Sequence, residues 1–326
     1  MKNLIYIAVI AILAPSEFAN CQETSFQKNI KVAIIQNPYA GDRASIEIQE
    51  GPEIIAASGI DKMLSDMDIE VKIQPVVKLS PEEEREYGQW NRFGMANGHL
   101  GEVVSASLKE NYFPIGFLAN CSSLMGMLAG LQRSGPGEDP LKVGLIFIDA
   151  HGDFNTPETT LSGMLGGMPV AVSAGHCLTR LRLQSGLDPA LPEESIVLAC
   201  VRDTDPLEQE RIDNSLVELI SVDDIRNLTD NIHTQMQRLS EVSDLIYIHI
   251  DMDVLDPKEV SGHPLTVPNG PTSLELAAAL EVMFKYEKAA ALGIASYPYR
   301  DDDDGISIKA VHNLVVGAIN GVQGNR

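Results

Sequence analysis

Basic residues are scarce in this sequence. The 326-residue chain carries 24 Lys plus Arg against 46 Asp plus Glu, a formal net charge of −22 at pH 7. Nucleic-acid backbones and anionic membrane surfaces are held by clusters of cations, so this balance excludes both as the principal partner. A small cationic substrate or metal ions suit it better. Cysteine is also sparse: Cys21, Cys121, Cys177 and Cys200 are the 4 present, too few to form a disulfide scaffold in a chain of this length. No hydrophobic run reaches the length of a membrane-crossing helix. Leu4–Ala14, following Met1-Lys2-Asn3, has about eleven apolar residues where a span needs about 20. It reads instead as the core of an export signal, so residues 1–21 are expected to be a signal peptide or lipoprotein signal. Phe18-Ala19-Asn20-Cys21 makes an imperfect cleavage or lipidation site. The expectation is an exported protein (periplasmic, lipid-anchored or secreted), with a cytoplasmic protein whose fold starts near Lys31 as the alternative.

Apolar material is plentiful. Hydrophobic residues make up 44% of the chain, enough for a sizeable buried core and incompatible with bulk disorder. Short β-branched runs alternate with longer helix-like stretches from Ile30 onward, the pattern of a parallel sheet covered on both faces. The runs are Ile30–Ile35, Val71–Val77, Ile115–Ala119, Val143–Asp149, Ser195–Cys200, Val217–Ser221, Leu245–Asp251 and Ala290–Ser296. Ser80-Pro-Glu-Glu83 and Thr272-Ser-Leu-Glu275 have the capping-box spacing that starts helices. In the second, Leu274, Leu276, Ala277, Leu280, Met283 and Phe284 form a stripe expected to face the core. No repeat or linker divides residues 30–326, so a single α/β domain is expected. Asp301-Asp302-Asp303-Asp304 reads as a solvated loop capping a helix near Ile306, and Ser134-Gly-Pro-Gly-Glu-Asp-Pro140 as a surface loop.

Two of the strands end in acids. Val143–Ile148 runs into Asp149-Ala-His-Gly-Asp153, and Leu245–Ile250 runs into Asp251-Met-Asp253-Val-Leu-Asp256-Pro257. In extended chain, residues at i, i+2 and i+4 share a face, so Asp149, His151 and Asp153 form one set and Asp251 with Asp253 another. Open α/β sheets bind ligands at the carboxyl ends of their strands, and carboxylates with an imidazole suit divalent cations. So many acids at the mouth of apolar strands would take up protons unless cations neutralised them. Two metal ions sharing bridging carboxylates are the natural solution.

These motifs, with Ser162-Gly163 and Arg202-Asp-Thr-Asp-Pro206 between them, resemble those of the ureohydrolases: arginases, agmatinases, formimidoylglutamases and related amidinohydrolases. The likeness extends from about Lys31 to the C-terminus. It implies a three-layer α/β/α fold on an eight-stranded, mostly parallel sheet, and hydrolysis of a linear amidine or guanidino compound by a hydroxide bridging two metal ions. By resemblance, Asp149 and Asp251 are bridging ligands, Asp153 binds the first metal and handles a proton in catalysis, and His151 and Asp253 bind the second. Asn155 and Ser162 would face the substrate's polar tail, and Asp205 its amino or guanidino end. The usual metal of the family is manganese, and its usual assembly a trimeric or hexameric homo-oligomer.

The departures from the family pattern are specific. Cys121, in Leu118-Ala-Asn-Cys-Ser122, stands where the remaining ligand is normally histidine. A thiolate can fill that place, and its softness favours nickel, zinc, cobalt or iron over manganese. Met164 and Gly166 replace an Asn and a proton-shuttling His of arginases, and Ala295 falls near the position of a guanidinium-binding Glu. His249 and His263 occupy positions usually held by hydroxyl residues, which makes them further candidates for proton transfer. A catalytically silent relative that binds a ligand or one structural metal is the alternative reading.

Overall fold

The computed structural model describes residues 30–41, 48–298 and 304–325. The expected signal segment, Cys21 and Asp301–Asp303 lie outside the described residues. Eight strands form one sheet: β1 Lys31–Asn37, β2 Glu70–Ile73, β3 Phe113–Leu118, β4 Val143–Ile148, β5 Ile196–Ala199, β6 Glu218–Ile220, β7 Leu245–Asp251 and β8 Ala289–Ala295. Every ladder is parallel, and the strand order is β2-β1-β3-β8-β7-β4-β5-β6. All eight expected strands are present. The edge strands are shorter than their apolar runs suggested: β2 stops at Ile73, just before Gln74-Pro75, because proline cannot donate to a ladder.

Alternating side chains along each strand feed two separate cores, the consequence of a two-residue repeat in a sheet covered on both sides. On β4, Ile146 and Ile148 join one core while Val143, Leu145 and Phe147 join the other. The first core packs against α1 Gly51–Ala57, α2 Ile60–Asp66, α8 Val222–Asn227, α9 Asp230–Val242, α10 Ser273–Met283 and α11 Ile306–Gly324. The second is covered by α3 Gln89–Lys109, α4 Leu124–Gln132, α5 Pro169–Ser173, α6 Thr179–Gln184 and α7 Pro206–Asp213. A three-layer α/β/α fold results. No helix among the described residues is long and apolar enough to cross a membrane.

Two local expectations need correction. The Ser80 capping box forms, with the Ser80 N–H donating to Glu83 Oε2 at 2.8 Å and the Glu83 N–H to Ser80 Oγ at 3.2 Å, but only one 3-10 turn, Glu83–Arg85, follows. The backbone turns extended at Glu86, with φ −61° and ψ 140°, which ends the helical path, and Gly88 at φ 96° then leads into α3. At α10 the Thr272 capping box is present, yet Leu274 points to solvent at 67% exposure while Leu276, Ala277, Leu280, Met283 and Phe284 are buried. Leu274 is in the first turn, off the stripe that faces the sheet.

Candidate metal centre

The residues that carry the chemistry come from four adjacent strands. Reading across the sheet in the order β3-β8-β7-β4, the carboxyl ends bring Cys121, Ser296, Asp251 and Asp149 side by side. These are distant in sequence and become neighbours because the strands are not paired in chain order. Ligand atoms of Cys121, Asp149 and Asp251 lie within 4.8 Å of one another, as do those of Asp149, His151 and Asp253 and those of Asp251, Asp253 and His263. Asp149, Asp251 and Asp253 each belong to two of these groups.

Local hydrogen bonds hold the carboxylates in place. Asp149 Oδ1 accepts from the His151 backbone N–H at 2.8 Å, and Asp251 Oδ1 accepts from the Asp253 N–H at 3.0 Å. Asp251 Oδ2 accepts from Ser296 Oγ and from Cys121 Sγ, each at 2.7 Å. His151 Nδ1 lies 3.2 Å from Asp149 Oδ1 and 3.3 Å from Asp253 Oδ2. Asp253 is not on an extended segment as the alternation implied: β7 passes into a 3-10 turn, Met252–Val254, which still turns its carboxylate toward Asp251.

Asp153 is placed differently from the other acids. Its backbone is left-handed, with φ 46°, so the extended geometry that would align it with Asp149 and His151 ends there. Its carbonyl accepts from the N–H groups of Val170 and Ala171, tying it to the start of α5. The carboxylate is buried at 6% exposure but enters none of the three close groups. Burial and the nearby charges of Asp149 and Asp251 nevertheless raise its pKa well above the usual carboxylate range.

The same crowding acts on its neighbours. Burial and Asp149 push Asp251 up to about 7, and the same two causes raise Asp253 well above the usual carboxylate range. For Cys121, burial followed by Asp251 and Asp149 raises the thiol. Burial opposes charge on His151, but the hydrogen bonds and negative charges of Asp149 and Asp253 together outweigh it and raise it to about 12. One imidazolium against this many acids leaves an uncompensated negative cluster. Asp253 Oδ1, in a residue with 2% exposure, has no hydrogen-bond partner. A buried carboxylate oxygen without a donor is costly, and a cation would satisfy it. The residues present therefore fit divalent metal ions, with Cys121, Asp149, His151, Asp251 and Asp253 as ligands in reach.

Beside this cluster is a polar rim. Asp205 Oδ2 accepts from Asn155 Nδ2 at 3.2 Å and from the Leu161 N–H at 3.1 Å, bringing Asn155, the Thr160–Met164 turn and Asp205 together. Ser162 is exposed, and its Oγ accepts from the Met164 N–H at 3.2 Å. Leu161 and Met164 stand exposed at 78% and 53%, giving the rim an apolar lip.

Several residues beneath the site had not been singled out. Glu208 is buried and accepts from the Phe154 N–H at 2.8 Å and the Asp205 N–H at 3.2 Å, tying the segments after β4 and β5 to α7. Its spacing from Asp205 is that of a capping box, a signal present in the sequence. Ser296 and Tyr247 carried no comparable signal, because their roles depend on which strands become neighbours. His249 is fully buried, and burial lowers its pKa to about 3. His263 is held by the Leu265 N–H, which donates to its Nδ1 at 3.3 Å; burial lowers it to about 4. Neither Cys177 nor Cys200 joins the acidic cluster.

The family model described as Arginase family matches residues 46–319. The arginase of Bacillus subtilis (strain 168) is 28% identical over 258 residues, covering 78% of this chain and 85% of that protein. The arginase of Staphylococcus aureus (strain MRSA252) is 27% identical over 275 residues, covering 81% and 88%. A crystal structure of arginase from Bacillus subtilis subsp. subtilis str. 168 superposes with a TM-score of 0.77 at 26% identity, over 89% of this chain and 98% of that one.

Proposed function

From the premise that the chain belongs to the Arginase family, we propose that it is a metal-dependent ureohydrolase acting on a linear amidine or guanidino compound. It is a hydrolase of non-peptide C–N bonds. The observation that carries the reading is the meeting of Cys121, Asp149 and Asp251 in one close group and of Asp149, His151 and Asp253 in the next, with Asp253 Oδ1 buried and unpartnered. Divalent cations bound there would acidify a water molecule and so supply a nucleophile near neutral pH.

The chain's own groups supply the remainder. Burial and the charges of Asp149 and Asp251 raise the pKa of Asp153, and this buried carboxyl is the group that passes a proton to the leaving amine in our reading. Asp205 fixes the Thr160–Met164 turn and gives the rim a negative charge that favours a cationic substrate end. Asn155 and Ser162 offer an amide and a hydroxyl to a polar tail. Ala295 is fully buried and provides no carboxylate for a guanidinium group, and Gly166 provides no imidazole. These replacements argue against arginine itself as the substrate.

The test is release of urea or the corresponding amide from arginine, N-hydroxyarginine, agmatine, guanidinobutyrate, formimidoylglutamate and guanidine, each with manganese, nickel, cobalt and zinc. Turnover of one compound well above the others supports the reading. A protein that binds no metal and turns over none of them is a silent scaffold.

A further inference from the structure

Behind the metal centre runs a line of three buried side chains. Tyr247 Oη lies 2.8 Å from His249 Nδ1, His249 Nε2 lies 3.2 Å from Cys121 Sγ, and Cys121 Sγ lies 2.7 Å from Asp251 Oδ2. Tyr247, His249 and Asp251 alternate along β7 and so share one face, which sets their spacing. Tyr247 and His249 are fully buried, and the imidazole stacks on Phe147 with centroids 5.2 Å apart and 11° between the planes. Space for the phenol comes from Gly293 on β8, where a Cβ would stand 1.9 Å from Tyr247 Oη.

The hydrogen-bond directions follow from counting donors. Asp251 already accepts from Ser296 Oγ and from the Asp253 N–H, so it serves as an acceptor and the Cys121 S–H points to it. Sulfur then receives the hydrogen bond of His249, which places the imidazole proton on Nε2 and the lone pair on Nδ1. That lone pair accepts the Tyr247 O–H. The opposite direction would leave the phenol O–H buried with no acceptor.

We infer that Tyr247 and His249 are positioning residues that hold Cys121 as a sulfur ligand for the cation shared with Asp149 and Asp251. The inference rests on the metal-dependent reading above. When a cation binds, the S–H bond breaks, its proton leaves to solvent and the cation takes its place, with nothing oxidised or reduced. The Nε2–H remains as the donor that orients the sulfur, as neighbouring hydrogen bonds orient other metal ligands. A thiolate ligand makes this position better suited to cobalt, nickel, zinc or iron than to manganese.

Cobalt(II) titration of the full-length, chelator-stripped protein tests this by absorption, independently of turnover. The unmodified protein should develop a thiolate-to-cobalt charge-transfer band in the near ultraviolet, and Cys121→Ala should bind cobalt without it. His249→Phe keeps the stack on Phe147 but removes the N–H. It should move the band to longer wavelength and weaken cobalt binding at that position on the order of tenfold. Tyr247→Phe, which also checks the result should His249→Phe fold poorly, should move the band the same way by less. Bound cobalt with no band in the unmodified protein would overturn the sulfur ligand and leave the hydrolase reading standing. A band unchanged in both variants would overturn the positioning role. Failure of the unmodified protein to bind cobalt at all would overturn the functional reading together with the inference.

Discussion

Asp149 belongs to two of the three close groups, and its Oδ1 takes both the backbone N–H and the ring of His151. Asp149→Asn keeps the size of the side chain but exchanges the carboxylate proposed as a shared ligand for a neutral amide. Metal content and turnover should fall together, activity by at least about a hundredfold, measured by metal analysis and product release; an active variant with its full metal complement would refute the bridging role. A second expectation concerns pH. Asp251, pushed up to about 7 by burial and Asp149, must lose its proton for a cation to bind, so metal affinity falls as pH drops through that region. Isothermal titration at pH 8 and pH 6 should give weaker binding and greater proton release at the lower pH. Strand ends rich in acid made Asp149, His151, Asp251 and Asp253 legible in the sequence. The left-handed turn that sets Asp153 apart was not, since an Asp can adopt either backbone conformation and only the anchoring to α5 decides.

Among the elements, β7 and β8 show how packing supports the site. Gly293 is paired with His249 across the two strands, and its missing side chain is the space that the Tyr247 hydroxyl occupies. Gly293→Ala should destabilise the protein by about 1–3 kcal/mol through overpacking, read by urea unfolding. Tyr247→Phe in the same chain should recover part of that loss, because it removes the atom in conflict. The helices obey local rules where the side chains agree with them. Thr272 and Glu275 cap α10, whereas the box at Ser80 yields a single turn because the backbone is already extended at Glu86 before a second can form. A cap signal marks where a helix can start; the residues that follow determine its length.

For the molecule as a whole, the loop between the acidic end of β7 and α10 has to be fastened over a largely negative centre. Arg202, in the segment after β5, does this. Its guanidinium donates to the carbonyls of Val254, Val267 and Pro268, and also to Cys200. Arg202→Ala should leave those carbonyls without their donor, cost about 2–4 kcal/mol, and make residues 255–270 a preferred site of limited proteolysis. An unchanged cleavage pattern would show that the loop is held by other means.

Alternation of apolar runs with capped helices determined the layered α/β class, because a strand buried on both faces must be continuously apolar and each helix between parallel strands must return the chain across the sheet. The acids closing two of those runs determined that the chemistry gathers at the carboxyl edge. What the tertiary structure decided is the company those acids keep. Strand order places β8 between β3 and β7, so Ser296 reaches Asp251 and Cys121 meets both Asp251 and His249. Contacts of this kind join residues 45 to 130 positions apart, and no local spacing encodes them; they exist only once hydrogen-bonded ladders have fixed which strands are neighbours.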